Sequence, residues 1–197
     1  MLIASAGLWR WSQDYRSLLL RINSDRLEWR ARASHDDLTG QLNRRYFFDE
    51  LPVQIKQHQH DFRPAFLFML DIDHFKTVND NYGHPVGDRL LELYGKEING
   101  FLRKDDLGFR LGGEEFALVI HDASALTAVE AAERLKNQLG QLSVVDNHNN
   151  ISRTCSIGIA ELQRADDVHS WLKRADQALY RAKDQGRNQV VMSDYAP

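Results

Sequence analysis

Ala65-Phe-Leu-Phe-Met-Leu70 is an unbroken apolar run. Side chains on a strand alternate between its two faces, so a run like this reads as a strand buried on both sides. A chain that contains one must supply a layer above it and a layer below it. Helical patterns are available for both. Phe47, Phe48, Leu51 and Ile55 recur at helical spacing before the run. After it come Leu90, Tyr94, Ile98 and Phe101 or Leu102, then Ala128, Ala131, Leu135 and Leu139, then Leu172, Ala175, Leu179 and Ala182. Helices and strands alternate, with one clear hairpin, so the expected class is α/β (α+β): a mixed central sheet covered by helices. The connections are expected as a turn over 36–43, a loop over 57–63, a helix break at 83–85 and a polar turn over 146–150. A short strand is expected over 142–145, a long one over 151–161, and an edge strand over 189–192. Gly186 closes the last helix, expected over 167–185.

The buried strand ends in Asp71-Ile72-Asp73. A carboxylate at the end of a buried strand is costly unless it is paired or metal-bound, and hard oxygen donors suit Mg²⁺. Asp73 reads as the N-cap of a helix beginning near His74; Asp71 has no such explanation. A second acidic feature is Arg110-Leu-Gly-Gly-Glu-Glu-Phe116. Apolar residues flank it on both sides, which makes it a β-hairpin with Gly112-Gly113 at the tip. A tip without Cβ atoms admits a bulky ligand to the backbone. Glu114 and Glu115 then begin the return strand. A solvated turn with two surface acids is the plainer reading of this segment alone. If the two strands are neighbours, Asp71 and Glu114 hold one ion.

Several ordered motifs together resemble the GGDEF domain of the diguanylate cyclase family, in the variant with Glu at the third motif position. They are Asp36-Asp-Leu-Thr-Gly-Gln-Leu-Asn-Arg-Arg45, Asp71-Ile-Asp-His-Phe-Lys76, Asn79-Asp80, Gly83-His-Pro-Val-Gly-Asp88, the glycine hairpin, Ser156-Ile-Gly-Ile-Ala160 and the closing stretch from Ala175 to Asn188. Gln41 departs from the family's usual Leu, which bears on local packing. The resemblance covers about 34–191 and implies the palm-like fold of nucleotidyl cyclases and polymerases. It also implies condensation of two GTP into cyclic di-GMP with release of two pyrophosphates. Asp71, Glu114, Glu115 and the carbonyl of Ile72 would hold two Mg²⁺ per site, with Mn²⁺ as an alternative ion. Glu114, Glu115 and Lys76 would be the catalytic set. Lys76, Lys183, Arg187 and the backbone at His74 and Phe75 would meet the triphosphate. Asn79 and Asp88 would read guanine, because an Asp accepts from the guanine N1–H and amine, a pattern adenine lacks. Arg103 and Asp106, nine residues ahead of Gly112 in the case of Arg103, would form an inhibitory product site. Outside the family, Asn79 reads as a helix cap, Lys183 and Arg187 as cations answering a helix dipole, and Arg103 to Asp106 as ordinary surface charge.

One domain holds one GTP, so the resemblance implies a homodimer with two facing sites. Residues 8–34 read as a single helix, with Trp11, Tyr15, Leu18, Ile22 and Trp29 on a seam interrupted by Asp25. That is a short coiled-coil stalk of roughly three heptads, or a helix packed on its own domain. The domain boundary therefore falls at 34/35. Residues 1–35 carry six arginines against three acids, while the whole chain has a net charge of −3, which gives no support for nucleic-acid binding. Cys155 is the only cysteine, so no intrachain disulfide forms, and its apolar surroundings predict a buried, inert thiol. No run reaches the length of a membrane span. The resemblance implies a cytoplasmic domain, either free or the cytoplasmic part of a membrane receptor. The competing class is a GGDEF-like module that binds GTP or cyclic di-GMP without catalysis. A dimerising scaffold with a vestigial site is the third.

Overall fold

The structure, a computed structural model, describes residues 34–193. The chain divides into two units, Met1–His35 and Asp36–Pro197, and the sheet belongs to the second. The seam residues Trp11 to Trp29 lie outside the described residues. In chain order the elements are β1 (Leu42–Asn43), α1 (Arg44–Asp61), β2 (Ala65–Ile72), α2 (Phe75–Tyr82), α3 (His84–Phe101), β3 (Leu107–Gly112) and β4 (Glu115–His121). Then follow α4 (Ala125–Gly140), β5 (Val144–Asp146), β6 (Asn149–Ile151), β7 (Cys155–Glu161), α5 (Val168–Asp184) and β8 (Val190–Met192).

Six strands form one mixed sheet in the order β1-β3-β4-β2-β7-β8; β5 and β6 pair separately. The apolar run lies at its centre, antiparallel to β4 on one side and β7 on the other. Every residue of β2 is buried. Phe66, Phe68, Leu70 and Ile72 pack in one core with α2, α3 and α4, while Ala65, Leu67 and Met69 pack in the other with α1 and α5. The two-sided burial read from the sequence is thus met by three helices on one face and two on the other. Gly158, on the α5 face of β7, sets the spacing there. A Cβ on it would stand 2.1 Å from the Leu179 amide nitrogen and 2.3 Å from the Ala175 carbonyl oxygen. The helix backbone rests directly on the strand.

Several expectations are corrected. Residues 57–61 are the last part of α1, not a loop. Their polar side chains make tertiary contacts: Gln59 Nε2 donates to the carbonyls of Gln163 and Asp166 at 2.9 and 2.8 Å. The helix stops at Phe62, which is left-handed (φ 55°), two residues before Pro64. The expected long strand over 151–161 is two strands. Between them Arg153 C=O accepts from the Tyr94 hydroxyl at 2.7 Å and Thr154 C=O accepts from Asp73 N at 2.8 Å. The inward residues of α4 include Ala132 in place of Ala131, and those of α5 include Trp171, whose indole donates to Ala160 C=O at 2.9 Å. The 36–43 turn ends in β1, which pairs in parallel with β3. The turn over 146–150 narrows to Asn147-His148, both with positive φ, between β5 and β6.

Candidate active site

The registers of β2 bring the acidic ends together. Asp71 lies directly opposite Glu115 on β4 and opposite Ser156 on β7. Residues directly opposite in an antiparallel pair share a face, so Asp71 and Glu115 stand on the α5 side of the sheet. Glu114 is tied to the same strand end through its carbonyl, which accepts from Ile72 N at 3.4 Å. Lys183, in the last turn of α5, ion-pairs with Asp71 at 2.7 Å. Burial pushes the Asp71 carboxyl up, opposed by the hydrogen bond and charge of Lys183. Burial and then the neighbouring Asp71 charge push Glu114 and Glu115 up as well.

Three hard-oxygen side chains that repel one another are a donor set suited in chemistry to a divalent ion such as Mg²⁺. Among the described residues no three His, Cys, Asp or Glu side chains are gathered closely enough to form a metal-holding cluster. Asp71 faces a lysine in this arrangement.

The hairpin tip is open. Gly112 and Gly113 have φ of +148° and +51°, and a Cβ on either would meet nothing within 4 Å. Arg110 fixes the tip from beneath. Its Nε and Nη2 donate to Gly113 C=O at 3.1 and 2.8 Å, and its Nη1 to Asp36 Oδ1 at 2.9 Å. Burial raises the Asp36 carboxyl, but hydrogen bonds from Arg110 and Thr39 outweigh it and hold the group below its usual range. The opening motif is therefore a brace for the hairpin. Beside it Gln41 is buried and donates to Gly95 C=O at 2.9 Å.

Asp73 is not the N-cap of α2. That position is His74, in the left-handed region (φ 57°) and without a side-chain cap bond. Asp73 instead accepts from Thr154 Oγ1 at 2.7 Å, Ser156 Oγ at 2.8 Å and the Asn188 amide at 3.1 Å. The first amides of α2, at His74 and Phe75, sit at a helix start where N–H groups lack intrahelical partners. Lys76 is exposed on the first turn. Asn79, on the same helix, has its Oδ1 shielded from solvent with no hydrogen-bond partner among the described residues. It lies over Gly87, whose absent Cβ would stand 2.0 Å from that oxygen. Asp88 follows, exposed. Arg187 is exposed in a turn just beyond α5, with φ +65°.

Arg103 and Asp106 lie before β3, one strand of roughly 20 Å from the hairpin tip. Asp106 accepts from the amides of Arg103 and His121 at 3.0 and 3.1 Å. Both residues line a cleft of about 150 Å³ with Arg134, whose guanidinium stands 5.1 Å over the Phe101 ring. Nothing in the sequence marks Arg134 or the bracing role of Arg110; only the three-dimensional packing joins them to their partners. Cys155 is buried, and burial pushes its thiol far above the ordinary range.

An acidic strand end beside a glycine hairpin, with cations from a neighbouring helix, defines a nucleotidyl-cyclase-like α/β domain. The family described as "Diguanylate cyclase, GGDEF domain" matches residues 33–189, and the chain belongs to that family. It is 39% identical over 165 residues to the probable diguanylate cyclase DgcT of Escherichia coli K12, covering 82% of this chain and 36% of the relative. It is 38% identical over 162 residues to the diguanylate cyclase VdcA of Vibrio cholerae, covering 81% of this chain and 47% of the relative. The chain thus spans less than half the length of these relatives. Among solved structures, the coiled coil and GGDEF domain of DgcB from Caulobacter crescentus, in complex with c-di-GMP, superposes with a TM-score of 0.81 at 29% identity, over 94% of this chain and 99% of that one. The diguanylate cyclase SiaD of Pseudomonas aeruginosa, in complex with its activator SiaC, gives 0.78 at 33% identity, over 97% and 79%. No helix among the described residues is long and apolar enough to cross a membrane.

Proposed function

We propose that the chain is a diguanylate cyclase, joining two GTP into cyclic di-GMP as a homodimer under product inhibition. The observation that carries this reading is the register that sets Asp71 opposite Glu115, with Lys183 on the same carboxylate. Family membership and the relatives' names support it. In each half-reaction the ribose 3′-oxygen of one GTP bonds to the α-phosphorus of the other. The bond from that phosphorus to the bridging oxygen breaks, and pyrophosphate leaves with the electron pair.

Asp71, Glu114, Glu115 and the Ile72 carbonyl are the groups suited to hold Mg²⁺ or Mn²⁺. Such an ion supplies a lowered pKa for the attacking hydroxyl and charge neutralisation at the phosphates. Glu115 either accepts the hydroxyl proton or completes the ion's shell. Lys183, which pairs with Asp71, also stands within the group of cations available to the GTP phosphates. Lys76, Arg187 and the amides at His74 and Phe75 bind the remaining phosphate oxygens. Asn79 and Asp88 take the guanine edge; the shielded, unpartnered Asn79 Oδ1 supports an acceptor kept for a base N–H. Arg103, Asp106 and Arg134 present two guanidinium groups and a carboxylate where product would bind. GTP is a cytoplasmic substrate, so the domain works there.

Incubation with GTP and Mg²⁺ is expected to yield cyclic di-GMP and two pyrophosphates per product. Chelating the metal is expected to abolish both. Binding of cyclic di-GMP without turnover would leave a non-catalytic module.

A further inference from the structure

We propose that Asp73 is a positioning residue that holds the Arg187 turn against the end of β2, so that the phosphate cation and the Asp71 carboxylate share one frame. The proposal rests on the cyclase reading for the role of Arg187, but its geometry stands on its own. Asp73 is 2% exposed, yet among the described residues it caps no helix and pairs with no cation. Its two oxygens take three donors. Oδ1 accepts from Ser156 Oγ at 2.8 Å; Oδ2 accepts from Thr154 Oγ1 at 2.7 Å and from the Asn188 amide at 3.1 Å. A buried carboxylate is tolerable when its lone pairs are filled in this way.

The third donor is the informative one. Thr154, just before β7, and Ser156, at its start, lie beside the end of β2 and serve local cohesion. Asn188 is 115 residues away in sequence and follows Arg187 directly. Gly186, Arg187 and Asn188 all have positive φ, at +116°, +65° and +48°. Non-glycine residues rarely hold such angles unless the surroundings fix them. Around this turn the Arg187 amide donates to Ala182 C=O at 3.0 Å, and Lys136 Nζ donates to Asn188 C=O at 3.2 Å. These tie the turn to α5 and α4. The Asp73 bond is the tether from this turn to the strand end that carries Asp71, two residues earlier.

The test compares the parent chain with Asp73→Ala and Asp73→Asn, each checked for a cooperative melt. Asp73→Ala removes every acceptor. It is expected to expose the Asn188 amide to exchange at least about tenfold faster. It is also expected to raise the KM for GTP about tenfold, with a smaller loss in kcat. Asp73→Asn keeps one oxygen for the Asn188 amide and is expected to recover most of both. A purely structural Asp73 would lower the melting temperature and the active fraction while leaving KM in place. The proposal is overturned if either folded variant frees the Asn188 amide without moving KM, or if that amide exchanges freely in the parent. Should Asp73→Ala not fold, Asp73→Ser, whose shorter side chain withdraws the acceptor from the Asn188 amide, takes its place with the same two readouts and the same expected results. Parent turnover of GTP reports on the cyclase reading separately. If there is none, Asn188 exchange and binding of an α,β-methylene GTP analogue still decide the tether.

Discussion

At Gly87 a Cβ would stand 2.0 Å from Asn79 Oδ1 and 3.1 Å from the Phe75 ring. The first of these neighbours is the end of a side chain, which can swing away; it is also the group proposed to read guanine. Gly87→Ala is therefore expected to fold, losing about 1–2 kcal/mol, and to raise the KM for GTP severalfold by displacing Asn79. Steady-state kinetics with GTP, alongside a thermal melt, checks this; an unchanged KM would remove Asn79 from base recognition. The example marks what a sequence conveys about single residues. Asp71, Glu114 and Glu115 stand out as candidates because carboxylates beside a buried strand and a glycine tip are chemically conspicuous, and the β2–β4 register adds that Asp71 and Glu115 are direct partners. Asp73 carries the same carboxylate and reads from the sequence as a helix cap, because its true partners Thr154, Ser156 and Asn188 lie far along the chain. The need of Asn79 for a glycine opposite it is equally invisible until α2 and α3 are packed.

The elements whose ends differ from the sequence pattern are those fixed by polar tertiary contacts. Helix α1 carries no apolar periodicity beyond Ile55, yet it continues to Asp61. His58 stacks on His121 at the end of β4, with ring centroids 4.4 Å apart and planes 10° apart. Burial, and then the neighbouring His58, hold the His121 imidazole below its ordinary range. Asp106 and Asp122 act in the opposite direction, and Arg63 reinforces the lowering. The consequence for stability has a definite sign. Between the folded and unfolded pKa values the unfolded chain binds the extra proton, so the contribution of the neutral His121 ring is fully present above about pH 6.5. That contribution is lost as pH falls toward and through the folded value. His121→Phe keeps a flat ring on His58 and removes this titration. Its melting temperature is expected to fall less than the parent's between pH 7.5 and pH 5. Parallel melts across that range check the expectation; identical slopes would contradict it.

For the whole molecule, the decisive pattern was legible from the outset: a strand buried on both faces demands helices on both faces, and the sheet has them. The strand order was not legible, because periodicity says which faces are apolar and nothing about which strands pair across long separations. The order matters for function, since β4 and β7 on either side of β2 bring Glu115 and Ser156 level with Asp71. The resulting site, as proposed, accommodates one GTP, whereas cyclic di-GMP contains two phosphodiester links made between two nucleotides. On the proposed reaction two chains would face each other, related most simply by a two-fold axis. Mass action then fixes the concentration dependence. Well below the dimer dissociation constant the rate is expected to rise with the square of chain concentration, and well above it with the first power. Removing residues 1–33 is expected to push that crossover to higher concentration, since the coiled-coil seam read from their sequence would, on pairing, raise the effective concentration of the two domains. Initial rates of pyrophosphate release over a hundredfold dilution series, for both lengths of chain, measure the crossover. A rate strictly proportional to enzyme at every dilution, in both, would mean that the active species is either a single chain or a dimer that never dissociates. Sedimentation at the lowest assay concentration tells those two apart, and a monomer active there would overturn the facing-site geometry.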